Sequence, residues 1–143
     1  MSRKKKPGLT RRVDVLYHKI LADDRTADNW YWPHPCAYTW GSSQSLRSAM
    51  GWMALLFARK WVGRDIDLKR LGSIVARSGD PVCAYEWTRD IPGITTTLFK
   101  RLQQVVIYGN NPEAIRAFMV IPGADRRLLE ATLIVAEVME GTR

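Results

Sequence analysis

The chain has 143 residues, 46% of them hydrophobic and 25% charged, which are the proportions of a folded domain rather than a disordered chain, and a length for one domain. No apolar run approaches the ~20 residues that span a bilayer, no apolar stretch follows the basic start Met1–Lys6 as it would in a secretory leader, and two cysteines, Cys36 and Cys83, make no disulfide framework. A cytoplasmic protein with no membrane partner is expected. The formal net charge of +8 is unevenly placed. Residues 1–12 hold Arg3, Lys4, Lys5, Lys6, Arg11 and Arg12 with no acid, and residues 41–77 hold Arg47, Arg59, Lys60, Arg64, Lys69, Arg70 and Arg77 against Asp65 and Asp67 alone. The remaining segments are close to balanced, so the excess marks a surface that faces a polyanion.

In chain order, residues 1–12 read as a basic arm, disordered or ordered only by a partner, since such a segment has little apolar area to bury. Residues 13–143 read as one all-α domain, a compact bundle of about six or seven short helices. The first helix is expected over Val13–Ala22, where Val13, Leu16, Tyr17, Ile20 and Leu21 recur at spacings of three and four. A polar stretch, Asp23–Asp28, follows it. Next come Trp30, Tyr31, Trp32, Tyr38 and Trp40, five aromatic residues interleaved with Pro33 and Pro35, which forbid a regular helix. Buried, these rings lace helices together; exposed, they are a stacking platform for bases or a protein contact.

A long helix from Ser42 or Ser43 to Val62 is capped by serine and stopped by Gly63, with Leu46, Met50, Met53, Phe57 and Trp61 as its apolar stripe. Asp67 caps a helix over Leu68–Ser78 that ends at Gly79, with Leu68, Leu71, Ile74 and Val75 inward and Arg70 and Arg77 together on the far side. Packed as a hairpin, these two helices would cluster Arg59, Lys60, Arg64, Lys69 and Arg70 near their junction. Asp80-Pro81 opens a short helix to about Trp87. Thr95 or Thr96 starts another to Tyr108, with Val105–Tyr108 the one stretch where a strand could replace it. Asn111-Pro112-Glu113 repeats the cap, proline and acid start. Asp125 begins the last helix, to about Glu140, with Leu128, Leu129, Leu133, Ala136 and Met139 inward.

A catalytic reading finds little to stand on. The carboxylate pairs Asp23/Asp24 and Asp65/Asp67 fall where helices end or begin, as caps do. Ser42 and Ser43 lack a Gly-x-Ser-x-Gly elbow, and no glycine-rich phosphate loop is present. His34 and Cys36 have no second close Cys/His pair to complete a zinc site. The expectation is therefore a non-enzyme with no metal and no cofactor.

The fragment Leu68-Lys-Arg-Leu-Gly-Ser-Ile-Val-Ala-Arg-Ser-Gly79 is similar to a Leu-Gly…Ala…Ser-Gly helix in small subunits of multisubunit CRISPR effector complexes. Leu98-Phe-Lys-Arg-Leu102 is compatible with the same family. The resemblance spans about Ser43 to Leu102; the aromatic segment and the Lys/Arg arm lie outside it. It implies a non-catalytic antiviral-defence subunit whose copies stack head to tail and whose basic faces line a channel for guide RNA and target strand. Inside the matched fragment, Arg70 and Arg77 would be the backbone contacts.

The expected function is thus phosphate-directed nucleic-acid binding, with RNA favoured over duplex DNA, within a ribonucleoprotein that holds other protein subunits and further copies of this chain. The candidate contacts are Lys4, Lys5, Lys6, Arg11, Arg12, Arg47, Arg59, Lys60, Arg64, Lys69, Arg70 and Arg77. Two other readings stay open. One is a helix-turn-helix regulator of plasmid or phage type, and the other a protein-binding adaptor or inhibitor that works through the aromatic loop.

Overall fold

A computed structural model describes residues 6–27 and 43–141, and among these residues every regular element is a helix, seven in all. The expected all-α class is the fold observed. In chain order the helices are α1 (Arg11–Ala27), α2 (Ser43–Trp61), α3 (Leu68–Ser78), α4 (Pro81–Asp90), α5 (Thr96–Tyr108), α6 (Pro112–Met119) and α7 (Arg126–Gly141). No helix of the described residues is long and apolar enough to cross a membrane. The aromatic segment from Trp30 to Trp40 lies outside the described residues.

The helix starts follow from local chemistry. Asp67, Asp80, Thr95 and Asn111 each sit in extended backbone, and each turns a side-chain oxygen onto amides of the following turn. Gly79 ends α3 in the left-handed conformation that its missing Cβ permits. Asp80 does more than cap. Its Oδ1 accepts from Val82 and Cys83 N–H, while Oδ2 accepts from Ser48 Oγ at 3.0 Å and Trp52 Nε1 at 2.8 Å, which ties the start of α4 to α2.

The core lies among α2, α3, α4 and α5, with Trp87, Leu55, Leu71, Ile74 and Leu102 fully enclosed. Close approach depends on small residues. A Cβ at Gly51 would meet Ser78 Cβ at 2.5 Å, and one at Gly72 would meet Leu98 Cδ2 at 2.5 Å and Trp87 at 3.2 Å. The helices therefore cross where glycine removes the obstacle.

Several expectations change. Helix α1 runs two residues earlier and five later than expected, taking in Arg11, Arg12 and part of the polar stretch. The arm thus ends before Arg11. Helix α4 continues past Trp87 to Asp90, and Val105–Tyr108 is the last turn of α5, not a strand. On α2, Met50 and Phe57 are buried as expected, but Met53 is exposed, and Ala54, Leu55 and Ala58 supply the rest of the inner face. On α7 only Leu129 and Ala136 are buried, and Leu133 is half-buried. Leu128 and Met139, expected inside, are exposed together with Ile134, Val135 and Val138. This helix packs mainly on α6. It is apolar on two faces, and contact with α6 selects only one of them.

Candidate nucleic-acid interface

The basic side chains separate into three groups once the helices pack. Lys69, Arg70 and Arg77 project from α3, and Arg101 from the facing part of α5 joins them. With Ser73 these four cations line an open groove of about 380 Å³, with no carboxylate in its lining among the described residues. Arg101 Nη1 donates to Ser73 Oγ at 3.2 Å, which holds the guanidinium across the groove. A neighbouring recess of about 330 Å³ shares Lys69, Ser73 and Arg101 and adds Thr95, Thr97 and Leu98. The combined lining offers cations and hydroxyls, the donor set that phosphate and ribose oxygens take up.

Two features of this group were hidden in the sequence. Arg101 lies 28 positions from Ser73, so no local pattern could place it in the groove. Lys69 and Arg70 occupy the first turn of α3, which has no acid there. Cations at a helix N-terminus oppose the macrodipole, so their position is not explained by helix stability.

The second group is at the α2–α3 turn. Lys60 and Arg64 lie over the Trp61 ring, 5.5 and 5.8 Å from its centroid. Residues 7–9 fold back onto this turn. Asp65 N–H donates to the Pro7 carbonyl at 2.9 Å, Arg64 Nη1 donates to the Gly8 carbonyl at 3.3 Å, and Leu9 packs against the core. Lys6, Arg11 and Arg12 are exposed beside it in sequence. Lys4 and Lys5 lie outside the described residues.

The third group is engaged within the fold. Arg59, expected among the phosphate contacts, bonds Glu86 and Asp90 of α4, each at 2.7 Å. The Glu86 hydrogen bond raises its pKa above the ordinary arginine value. Arg89 bonds Asp90 as well, and these two guanidinium groups, Arg89 first, hold the Asp90 carboxyl down at about 2. Arg47, also expected as a contact, is buried in the fold rather than presented on the surface. The charge count across 41–77 could not reveal either outcome, because it ignores acids that arrive from a later helix.

The other features carry no comparable chemistry. Cys83 is fully buried, and burial foremost, with Asp80 and Glu86 nearby, pushes its thiol up to about 12, so it is packing rather than a nucleophile. No group of three or more His, Cys, Asp or Glu residues among the described residues could hold a metal ion. A cleft of about 810 Å³ between the start of α6 and the end of α7 contains both signs of charge, and its Arg116 pairs with Glu137. Compared with known proteins, the chain matches no family model, no curated protein and no solved structure.

Proposed function

We propose that this protein is a non-catalytic nucleic-acid-binding subunit of a ribonucleoprotein, and that it holds single-stranded RNA by its phosphates in the α3–α5 groove. The observation that carries the reading is the convergence of Lys69, Arg70, Arg77 and Arg101 from two helices on one groove, which among the described residues they line together with Ser73. A solubilising surface needs no such convergence. The hydroxyls of Ser73, Thr95 and Thr97 favour RNA, whose 2′-OH can donate to and accept from them.

The assembly part of the proposal, in which copies of the chain stack, is supported by α7. Five large apolar side chains on that helix face solvent, more than an isolated surface helix needs. Its first turn holds Arg126 and Arg127 and its last turns hold Glu137 and Glu140, so the ends of two copies lying antiparallel are of opposite sign. The CRISPR effector family suggested by Leu68–Gly79 remains one setting for such a subunit.

The test is a pair of titrations with labelled single-stranded RNA and duplex DNA between 50 and 200 mM salt. Binding to the RNA with a slope of about −0.7 per phosphate contact, so −2 to −3 for three or four contacts, is the expected result. A flat salt dependence, or tighter and sequence-specific binding to duplex DNA, would replace this proposal with the other readings. Sedimentation of the wild type beside Val135→Glu checks the assembly part, with the variant expected to be the smaller species.

A further inference from the structure

Resting on the phosphate reading of the α3–α5 groove, we infer that the groove continues into a nucleobase subsite, where Tyr108 stacks on a base of the strand whose phosphates the cations hold. Three recesses lie in a row between the two helices. In the first, Lys69 and Ser73 of α3 face Thr95 and Thr97 at the start of α5. The middle one is the cation groove, which reaches Arg77. In the last, Ala76 and Gly79 face Gln104, Val105 and Tyr108 at the end of α5. Arg101 borders all three.

This order sets start beside start and end beside end, so α3 and α5 run in the same direction. The same closeness shows at Gly109, where a Cβ would meet Cγ of Pro81, two residues past Gly79, at 2.5 Å. Parallel helices give the groove two unlike ends. At Lys69 the positive ends of both macrodipoles reinforce the cations, and a phosphate is favoured. At Tyr108 both helices present their negative ends, and Arg101 is the one charged side chain lining the last recess among the described residues. A phosphate is disfavoured there, and a neutral group is not.

The last recess, of about 320 Å³, has the chemistry of a base site. Its floor is small and apolar, from Ala76, Val105 and two glycines. Tyr108 stands beside it 78% exposed, so one face of a large ring is left to water at the edge of a cation groove. A base supplies the flat partner such a ring takes up. Gln104, also exposed, carries an amide that both donates and accepts, as the polar edge of a base requires. Arg101, Gln104 and Tyr108 fall at i, i+3 and i+7, on one stripe of α5. From Arg101 to Tyr108 the helix advances about 10 Å, or about three steps of a strand at ~3.4 Å per nucleotide. A phosphate on Arg101 and a base on Tyr108 therefore belong to one short strand.

The experiment measures binding of two RNA hexamers to the full chain at 50 mM salt, one of adenosine and one with the same phosphates but abasic riboses. The wild type is expected to hold the adenosine hexamer about tenfold more tightly. Tyr108→Ala, a change at an exposed position, should lose about tenfold on the adenosine hexamer and less than twofold on the abasic one. Tyr108→Phe, which keeps the ring, should restore binding to within about twofold of the wild type. Equal affinity of the wild type for both hexamers, or equal loss on both in Tyr108→Ala, would overturn the base subsite and leave the phosphate reading standing. Adenosine monophosphate binding as tightly as the hexamer would assign the recess to a free nucleotide and overturn it too. If the wild type binds neither hexamer, or K69Q/R70Q/R101Q binds both like the wild type, the phosphate reading fails and the base subsite fails with it.

Discussion

Two clusters of cations on this molecule differ only in what stands opposite them. On α4, Glu86 and Asp90 take up Arg59 from α2 and Arg89 from their own helix. Around the α3–α5 groove, Arg101 donates to Ser73, and Lys69, Arg70, Arg77 and Arg101 line a space with no carboxylate among the described residues of its lining. A basic residue in the sequence is therefore ambiguous until its tertiary neighbours are known. An ion-paired arginine is part of the scaffold, whereas cations gathered on one groove create a positive field that attracts anions.

The largest expected effect breaks the groove. K69Q/R70Q/R101Q should weaken binding to single-stranded RNA about 100-fold near 100 mM salt and lower the magnitude of the salt slope by about 2, at ~0.7 per contact. Its thermal stability should stay within about 0.5 kcal/mol of the wild type, because these are surface changes. Parallel filter-binding and calorimetric measurements check both halves. A variant that binds normally would end the distinction between the two clusters.

The opposite pattern is expected across α4. Arg59→Ala leaves Glu86 and Asp90 with only Arg89 between them and should cost about 1 to 1.5 kcal/mol in chemical denaturation. RNA binding should change less than twofold. A large binding defect in a stable Arg59→Ala protein would move Arg59 back into the interface.

How much of this was legible in the sequence depends on the range of the interaction. The boundaries of α3 and the starts of α4, α5 and α6 were readable because Asp67, Asp80, Thr95 and Asn111 act within three residues of themselves. Lys69, Arg70 and Arg77 were readable as outward because the apolar period of α3 leaves them no place inside. Arg59 was not, since Glu86 is 27 positions away. Arg101 was missed for the same reason. On α7, a helix rich in Leu, Ile and Val offers two apolar faces, and the side that meets α6 is a property of packing, not of spacing. The small residues Ala54 and Ala58 on α2 gave a weak hydropathic signal, although both are fully buried.

Acid titration sharpens the contrast through Asp90, whose pKa is held at about 2 by the guanidinium groups of Arg89 and Arg59. A depressed carboxylate pKa contributes stability that is fully present above the unfolded value near 3.8 and is lost as pH falls through the folded value. Between about pH 4 and 2 the protein should therefore lose about 1 kcal/mol that Asp90→Asn has already lost at neutral pH, a figure reduced from the full shift because the pair is partly hydrated. The difference in stability between wild type and Asp90→Asn should close over that window. The groove, whose lining has no carboxylate among the described residues, gives no corresponding term.

The smallest effect converts one cluster into the other. Glu86→Gln with Asp90→Asn removes the two carboxylates that occupy Arg59 and Arg89 while keeping amides of nearly the same shape. Two guanidinium groups then face solvent or a strand without a fixed counter-charge. If an unlined cation cluster is all that binding needs, this variant should hold RNA about threefold more tightly at 50 mM salt, and the gain should vanish near 200 mM as screening takes over. If affinity is unchanged at low salt, charge alone is insufficient, and the groove's shape and its Ser73, Thr95 and Thr97 hydroxyls carry a larger share of recognition. The same measurement therefore separates a purely electrostatic interface from one that also reads the geometry of the strand.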